Sequence, residues 1–417
     1  MVYPKFRWFV LISLVIITAS GTMTMIAPSP FVPTISKDLG ITLGQTTAST
    51  MMVVMASTCI VAILSGFVID KIGFVLTWII GLSVQIIASI LINPLSSTAG
   101  GLIVGRALQG MGMGPINAVI AAVCAQWFKY NERTYVAAVQ GVSVWLGISF
   151  GLIFTPAMYE FFGNNWHRAL AMSAVPPAVG MIFALIIFFG PKPPAKLVPE
   201  NAEAKETHKK DFKLSLGTSA IWVLFIMALF EAWYQQAFND MAPGFYAADT
   251  PVGLGLGAVG AGLKLTWAGY ASILGTIVAP FIVEKLFKGK PKVPLATACI
   301  IGAGLVLGML ALNPNSGIWL ILLPCGMLFF TSIVNPTIYG YIAKHYPDRV
   351  VGRLGGTATG LAAGGSVLGL AAGSTALHLT GHYTVSNIIL AIVIFIAGTA
   401  AAFLKQPGIK PAEEYLR

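Results

Sequence analysis

Three ionisable residues stand where an oily stretch of chain should not tolerate them: Arg106, Glu231 and Lys264 each interrupt a long apolar run. A charge buried in hydrocarbon is costly, so such groups pair with one another, meet backbone carbonyls or line a wet cavity. Two cations converging with one carboxylate would make a locally positive site suited to a small anion. Glu231 has two possible parts in it. It could pair with Lys264 when the site is empty, or it could load a proton together with the cargo. Burial favours the neutral acid and a nearby cation favours the carboxylate, so both remain open at this level. Trp233, Tyr234 and Gln235 follow Glu231, and Asn117, Trp145, Trp267, Asn335 and Tyr339 lie in other apolar runs. These could complete a pocket, while most aromatics in such a chain simply pack. Asp240 is expected at a solvated rim, nine residues beyond Glu231. Trp8, Trp166 and Trp319 read as anchors at a membrane surface.

The elements that would carry these residues follow from composition. Of 417 residues, 56% are apolar and only 10% charged, which sets aside a water-soluble globular chain. Twelve successive runs reach the ~20 residues needed to cross a bilayer, with centres near Val15, Thr58, Val84, Gly114, Leu146, Val179, Leu229, Ser272, Leu305, Phe330, Leu368 and Val393. Counted along these helices, Arg106, Glu231 and Lys264 fall between mid-depth and the outer half. The first run is read as a retained helix. A net charge of +10 would suit a nucleic-acid partner, but its distribution argues otherwise. Apart from Arg106 and Lys264 within spans and Lys37 and Arg168 in outer loops, every Lys and Arg falls in segments on one side. By the positive-inside rule both termini are cytoplasmic, in a multi-pass inner (plasma) membrane protein.

A polar stretch, 191–217, separates an N-terminal six-helix bundle (1–190) from a C-terminal one (218–417). Ordered correspondences argue for duplicated halves: Gly66-Phe-Val-Ile-Asp70-Lys71 resembles Pro280-Phe-Ile-Val-Glu284-Lys285, Asn93-Pro94 resembles Asn313-Pro314, and Gly141 answers Gly360. The eleventh run carries Gly355, Gly356, Gly360, Gly364, Gly365, Gly369 and Gly373. Such a stripe suits tight static packing or a smooth surface sliding between the halves, and Gly147 and Gly151 form a fainter counterpart in the fifth run. The expected fold is therefore an all-α membrane protein of twelve transmembrane helices in two pseudo-symmetric six-helix bundles.

Two motifs carry a family resemblance. Gly66-Phe-Val-Ile-Asp70-Lys71-Ile-Gly73, in the loop after the second span, and Arg106-Ala-Leu-Gln109-Gly110 in the fourth resemble signatures of the major facilitator superfamily. The resemblance implies alternating access to a central cavity lined by helices one, four, seven and ten. It implies a gating role for Gly66, Asp70, Lys71 and Gly73, with Asp70 latching the inner gate, and a proton-coupling role for Arg106 alongside Glu231. Phe74 and Val75 replace the basic pair that usually follows the first motif. Lys264 resembles the basic substrate residue of the monocarboxylate and oxalate-formate branches. The eleventh helix lacks their second cation, which favours a monoanion or zwitterion over a dianion. The Gly-Pro motif of drug antiporters is matched only loosely, by Gly147, Gly151 and Pro156.

Other chemistries find no support. There is no phosphate-binding loop for ATP, no HExxH and no Gly-x-Ser-x-Gly. The five histidines lack ligand spacing and the four cysteines are dispersed, so no enzyme activity, cofactor, metal or disulfide is expected. The expectation is a monomeric secondary active transporter moving a small organic anion, a carboxylate or zwitterion, by proton symport or anion exchange. The runner-up is a proton-driven exporter of amphipathic compounds, and a non-transporting membrane sensor is a remote third.

Overall fold

The computed structural model describes residues 4–128, 132–193, 210–346 and 348–405. Twelve of its helices are long and apolar enough to cross a membrane: α1 (Arg7–Leu39), α2 (Leu43–Ala62), α3 (Phe74–Leu95), α4 (Ala99–Cys124), α5 (Val139–Phe161), α6 (Trp166–Phe189), α7 (Ser219–Ala247), α8 (Gly257–Leu286), α9 (Lys292–Met309), α10 (Trp319–Ile342), α11 (Leu354–Thr380) and α12 (Tyr383–Ala402). An even number of crossings returns the chain to the end at which it began. That end is called the terminus-bearing end below, and the opposite one the far end. Of the polar stretch between the halves, residues 210–216 are helical and 194–209 lie outside the described residues.

The helices form two six-helix bundles whose internal packing repeats. α1 packs on α5 as α7 packs on α11, α2 on α4 as α8 on α10, and α3 on α6 as α9 on α12. Small residues set the close crossings in both halves. A β-carbon on Gly147 of α5 would strike the Ala19 carbonyl of α1, and one on Gly365 of α11 would strike the Leu229 carbonyl of α7. Likewise Gly110 of α4 closes on Val54 of α2, and Gly275 of α8 on Phe329 of α10. The glycine stripe of α11 is therefore explained as packing inside the second half, against α7, because its most crowded members, Gly365, Gly369 and Gly373, face Leu229, Trp233 and Met241. α11 also packs on α2 of the first half.

Sharp turns fall where the sequence permits them. Gly73, at φ +81°, joins the helix ending at Ile72 to α3, a left-handed conformation that a β-carbon would strain. Asn93-Pro94 completes the last turn of α3, whereas Asn313-Pro314 lies in the loop after α9. Gly66 and Asp70, expected in the inner gate, stand at positions whose side-chain surroundings lie outside the described ones. Lys71 is exposed. In the second half Glu284, the counterpart of Asp70 in the repeat, pairs with Lys344 of the helix that continues α10, at 2.9 Å.

The halves meet most closely at the far end. There Lys37 pairs with Asp249, Thr42 shares a 2.8 Å hydrogen bond with His378, and Gly44 of α2 abuts the α11 backbone at Ser374 and His378. At mid-depth α5 and α8 cross on Ser149, Leu152, Gly262 and Gly269, and Thr266 donates to the Ser149 carbonyl at 3.3 Å. Toward the terminus-bearing end, β-carbons on Gly141 of α5 or Gly356, Gly360 and Gly364 of α11 would meet open space.

Candidate substrate and proton site

α7 supplies one wall of a small cavity between the halves. Phe238, Asn239, Ala242 and Pro243 line it, facing Trp145, Ile148 and Leu152 of α5, Leu265 and Gly269 of α8, and Leu328 of α10. Glu231, Phe238 and Ala242 recur at seven and four residues, so they share one face of α7. Glu231 thus lies on the cavity-lining face, two turns nearer the terminus-bearing end. Its side chain is buried. Asn335 of α10 donates to Oε2 at 3.3 Å, and Oε1 has no hydrogen-bond partner among the described residues. Tyr339 stands one turn beyond Asn335 and shares a 2.9 Å hydrogen bond with Thr359 of α11. Tyr234 donates to the Thr331 carbonyl at 3.2 Å, tying α7 to α10. The structure therefore brings together Glu231, Asn335, Tyr339 and Tyr234, and it places Trp145 across the cavity. Trp233 and Gln235 are half-buried, Trp233 packing on Gly369 of α11. Asn117 is half-buried beyond Pro115 in α4.

Arg106 is fully buried and its donors are spent on the protein itself. Nε donates to Thr50 O at 2.7 Å, one terminal nitrogen to Thr24 O at 3.0 Å and Gln109 Oε1 at 2.6 Å, and the other to Met25 O at 2.7 Å. The sequence explains the need. In an unbroken helix Thr24 O would accept from residue 28, but Pro28 has no N–H. The planar guanidinium thus meets the Thr24 carbonyl that Pro28 leaves without its helical donor, together with carbonyls at the end of the first helical stretch of α1 and in the π-type turn of α2 at Ala48–Met52. Gln109 continues the network to Ser89 of α3 at 2.9 Å.

Lys264 and Trp267 depart from the expected cluster. Lys264 is half-buried and makes no hydrogen bond or ion pair among the described residues, so it does not meet Glu231. At ~100° per residue it sits on a different flank of α8 from Leu265 and Gly269, the residues that line the cavity. Trp267 is 56% exposed on an apolar stripe with Leu263, Leu274, Ile277 and Phe281, the face presented to the surroundings. Trp166, read as a surface anchor, is instead buried with its indole N–H on Asp38 at 3.0 Å.

Sequence reasoning misplaced Asp240. It is 1% exposed, and neither carboxylate oxygen has a hydrogen-bond partner among the described residues. The miss came from helix length: α7 runs 29 residues to Ala247, with Pro243 accommodated inside it, so Asp240 lies within the helix. The uninterrupted apolar and small residues up to Ala248 were the available signal.

Two bundles of six spans, repeated in packing and enclosing a cavity between them, define a membrane transporter fold. The chain belongs to the Major Facilitator Superfamily, whose family model matches residues 12–370. Among curated proteins it is similar to the glucose transporter GlcP of Staphylococcus epidermidis, 23% identical over 72% of this chain and 71% of that one. It is also similar to the phosphoglycerate transporter protein of Salmonella typhimurium, 28% identical over 46% of this chain and 44% of that one. Among solved structures, a bacterial homologue of the human lysosomal transporter Spinster, in an inward-facing and unoccupied conformation, superposes with a TM-score of 0.75. That likeness covers 97% of this chain and 98% of the other at 13% identity.

Proposed function

We propose that this chain is a proton-coupled secondary transporter that carries a small organic anion, a carboxylate or zwitterion, through the cavity between its halves. The observation that carries the reading is Glu231: a buried acid on the cavity-lining face of α7, with one oxygen unpartnered and the other on Asn335. A carboxyl group so placed can take up a proton from the cavity and, as the neutral acid, donate a hydrogen bond to a bound carboxylate. Asn335 and Tyr339 add neutral donors beside it. The similarity to a phosphoglycerate transporter supports the anionic class. Lys264 supports it less than its sequence position suggests, because it stands on another flank of α8. The terminus-bearing end is assigned to the cytoplasm of an inner (plasma) membrane on the strength of the charge bias, and the chain is taken to work as a monomer.

A second reading has its own support. The cavity wall is mainly apolar, with Trp145, Phe238 and Leu265 among its members, which would suit an amphipathic cargo. Counterflow in proteoliposomes separates the two. Vesicles preloaded in turn with lactate, 3-phosphoglycerate or glycine should accelerate entry of the matching labelled compound for at least one of them. Extrusion of a lipophilic cation such as tetraphenylphosphonium, with no carboxylate or zwitterion exchange, would replace the anion reading with the exporter.

A further inference from the structure

Asp240 is a buried acid that the cavity does not explain. It stands nine residues from Glu231, ~13.5 Å along the helix axis and on the opposite face. The first half reaches α7 through the Ser29–Phe31 turn, which packs on this helix and forms a seam with it. Arg106 of α4 interacts with Asp240 through its charge across this seam, yet it holds no hydrogen bond to it. From α12, Tyr383 brings a buried phenol that is also unpartnered and also feels the Asp240 charge. Gly244, one turn beyond, is where a β-carbon would strike that hydroxyl. The other charged or titratable groups nearby are engaged or turned elsewhere: Lys37 pairs with Asp249, His378 of α11 bonds Thr42, and Lys264 of α8 occupies a separate flank. A bare carboxylate in this position would lose its hydration and gain no hydrogen bond in return.

We propose that Asp240 is a second proton-carrying group: it holds a proton while the far end is closed and exchanges it with far-side water when the Arg106 side of the seam swings away. Only an O–H bond forms or breaks, and the proton comes from and returns to water. With the halves parted, hydration favours the carboxylate; with them closed, the loss of hydration without any hydrogen bond in return outweighs the Arg106 charge and favours the neutral acid. Proton uptake therefore favours far-end closure. The proposal rests on the proton-coupled reading above, but it concerns a different residue.

The test needs no substrate. Spin labels at Ser97→Cys and Asn315→Cys, both exposed far-end loop positions, are introduced into the full chain with its four native cysteines replaced. Their distance distribution is followed in nanodiscs between pH 5 and 9. The parent should shift toward the shorter, far-end-closed distance as pH falls. Asp240→Asn should lose the pH dependence and stay closed, Asp240→Glu should keep it with a midpoint displaced by about half a unit or more, and Glu231→Gln should retain it. An unchanged titration in Asp240→Asn overturns the proposal, as does an unchanged midpoint in Asp240→Glu, which decides the matter should Asp240→Asn fail to fold. Loss of the transition in Glu231→Gln alone overturns this proposal and leaves the proton-coupled reading standing. A parent without any pH response overturns this proposal, whereas the proton-coupled reading fails only if cargo accumulation ignores a pH gradient.

Discussion

At the scale of single residues, Arg106 shows how one side chain can complete a backbone. Three of its contacts are backbone carbonyls from two helices, one of them the Thr24 carbonyl that Pro28 leaves without a helical donor. Arg106→Lys keeps the charge but offers a single ammonium in place of a fork, so at least one carbonyl goes unmet. The expected cost is about 3 kcal/mol of stability, read as a lowered Tm in detergent, while Arg106→Lys with an unchanged Tm would show that the fork is dispensable. The types of the buried charges were legible in the sequence, because a charge in an apolar run announces itself. Their partners were not. Whether a guanidinium meets cargo or carbonyl depends on where α1 kinks, and the depth of Asp240 depends on α7 continuing through Pro243 to Ala247.

At the scale of elements, the two halves use glycine for the same purpose. The α1–α5 and α7–α11 crossings bring backbones together where a β-carbon would collide, and the collision is with carbonyl oxygens that cannot rotate away. Gly369→Val, against the Trp233 backbone, should destabilise the second half by about 1–3 kcal/mol. Gly360→Ala has free space and a helix to favour, and should be neutral or stabilising by roughly 0.5–1 kcal/mol. Thermal unfolding of the two variants checks both; equal destabilisation would mean that the stripe packs along its whole length. The Gly44 crossing differs because it joins the halves. Gly44→Val should wedge the far end apart and lengthen the Ser97 to Asn315 label distance, whereas an unchanged distance would move the seam elsewhere. The sequence made the stripe visible, but it could not say which neighbour the stripe faces, since glycine spacing alone fits a partner in either half.

At the scale of the whole molecule, twelve spans and a duplicated pattern were readable because hydrophobic length and repeat motifs are properties of the chain itself. The conformation was not readable. Closure at the far end rests on contacts between residues far apart in sequence, such as Lys37 with Asp249 and Thr42 with His378. The exposed Lys37 pair is itself worth little; close packing at Gly44 and at the α5–α8 crossing carries the seam. Alternating access then requires the far-end seam to part while the cavity beside Glu231 exchanges solvent from one side to the other. The account turns on Glu231 as the group that links proton to cargo. The direct measurement is accumulation of whichever compound shows counterflow, in proteoliposomes with and without an imposed pH gradient, for the parent and for Glu231→Gln. The parent should accumulate the compound above equilibrium only with the gradient, and Glu231→Gln should still exchange it but no longer accumulate it. Undiminished gradient-driven accumulation by Glu231→Gln would contradict the account.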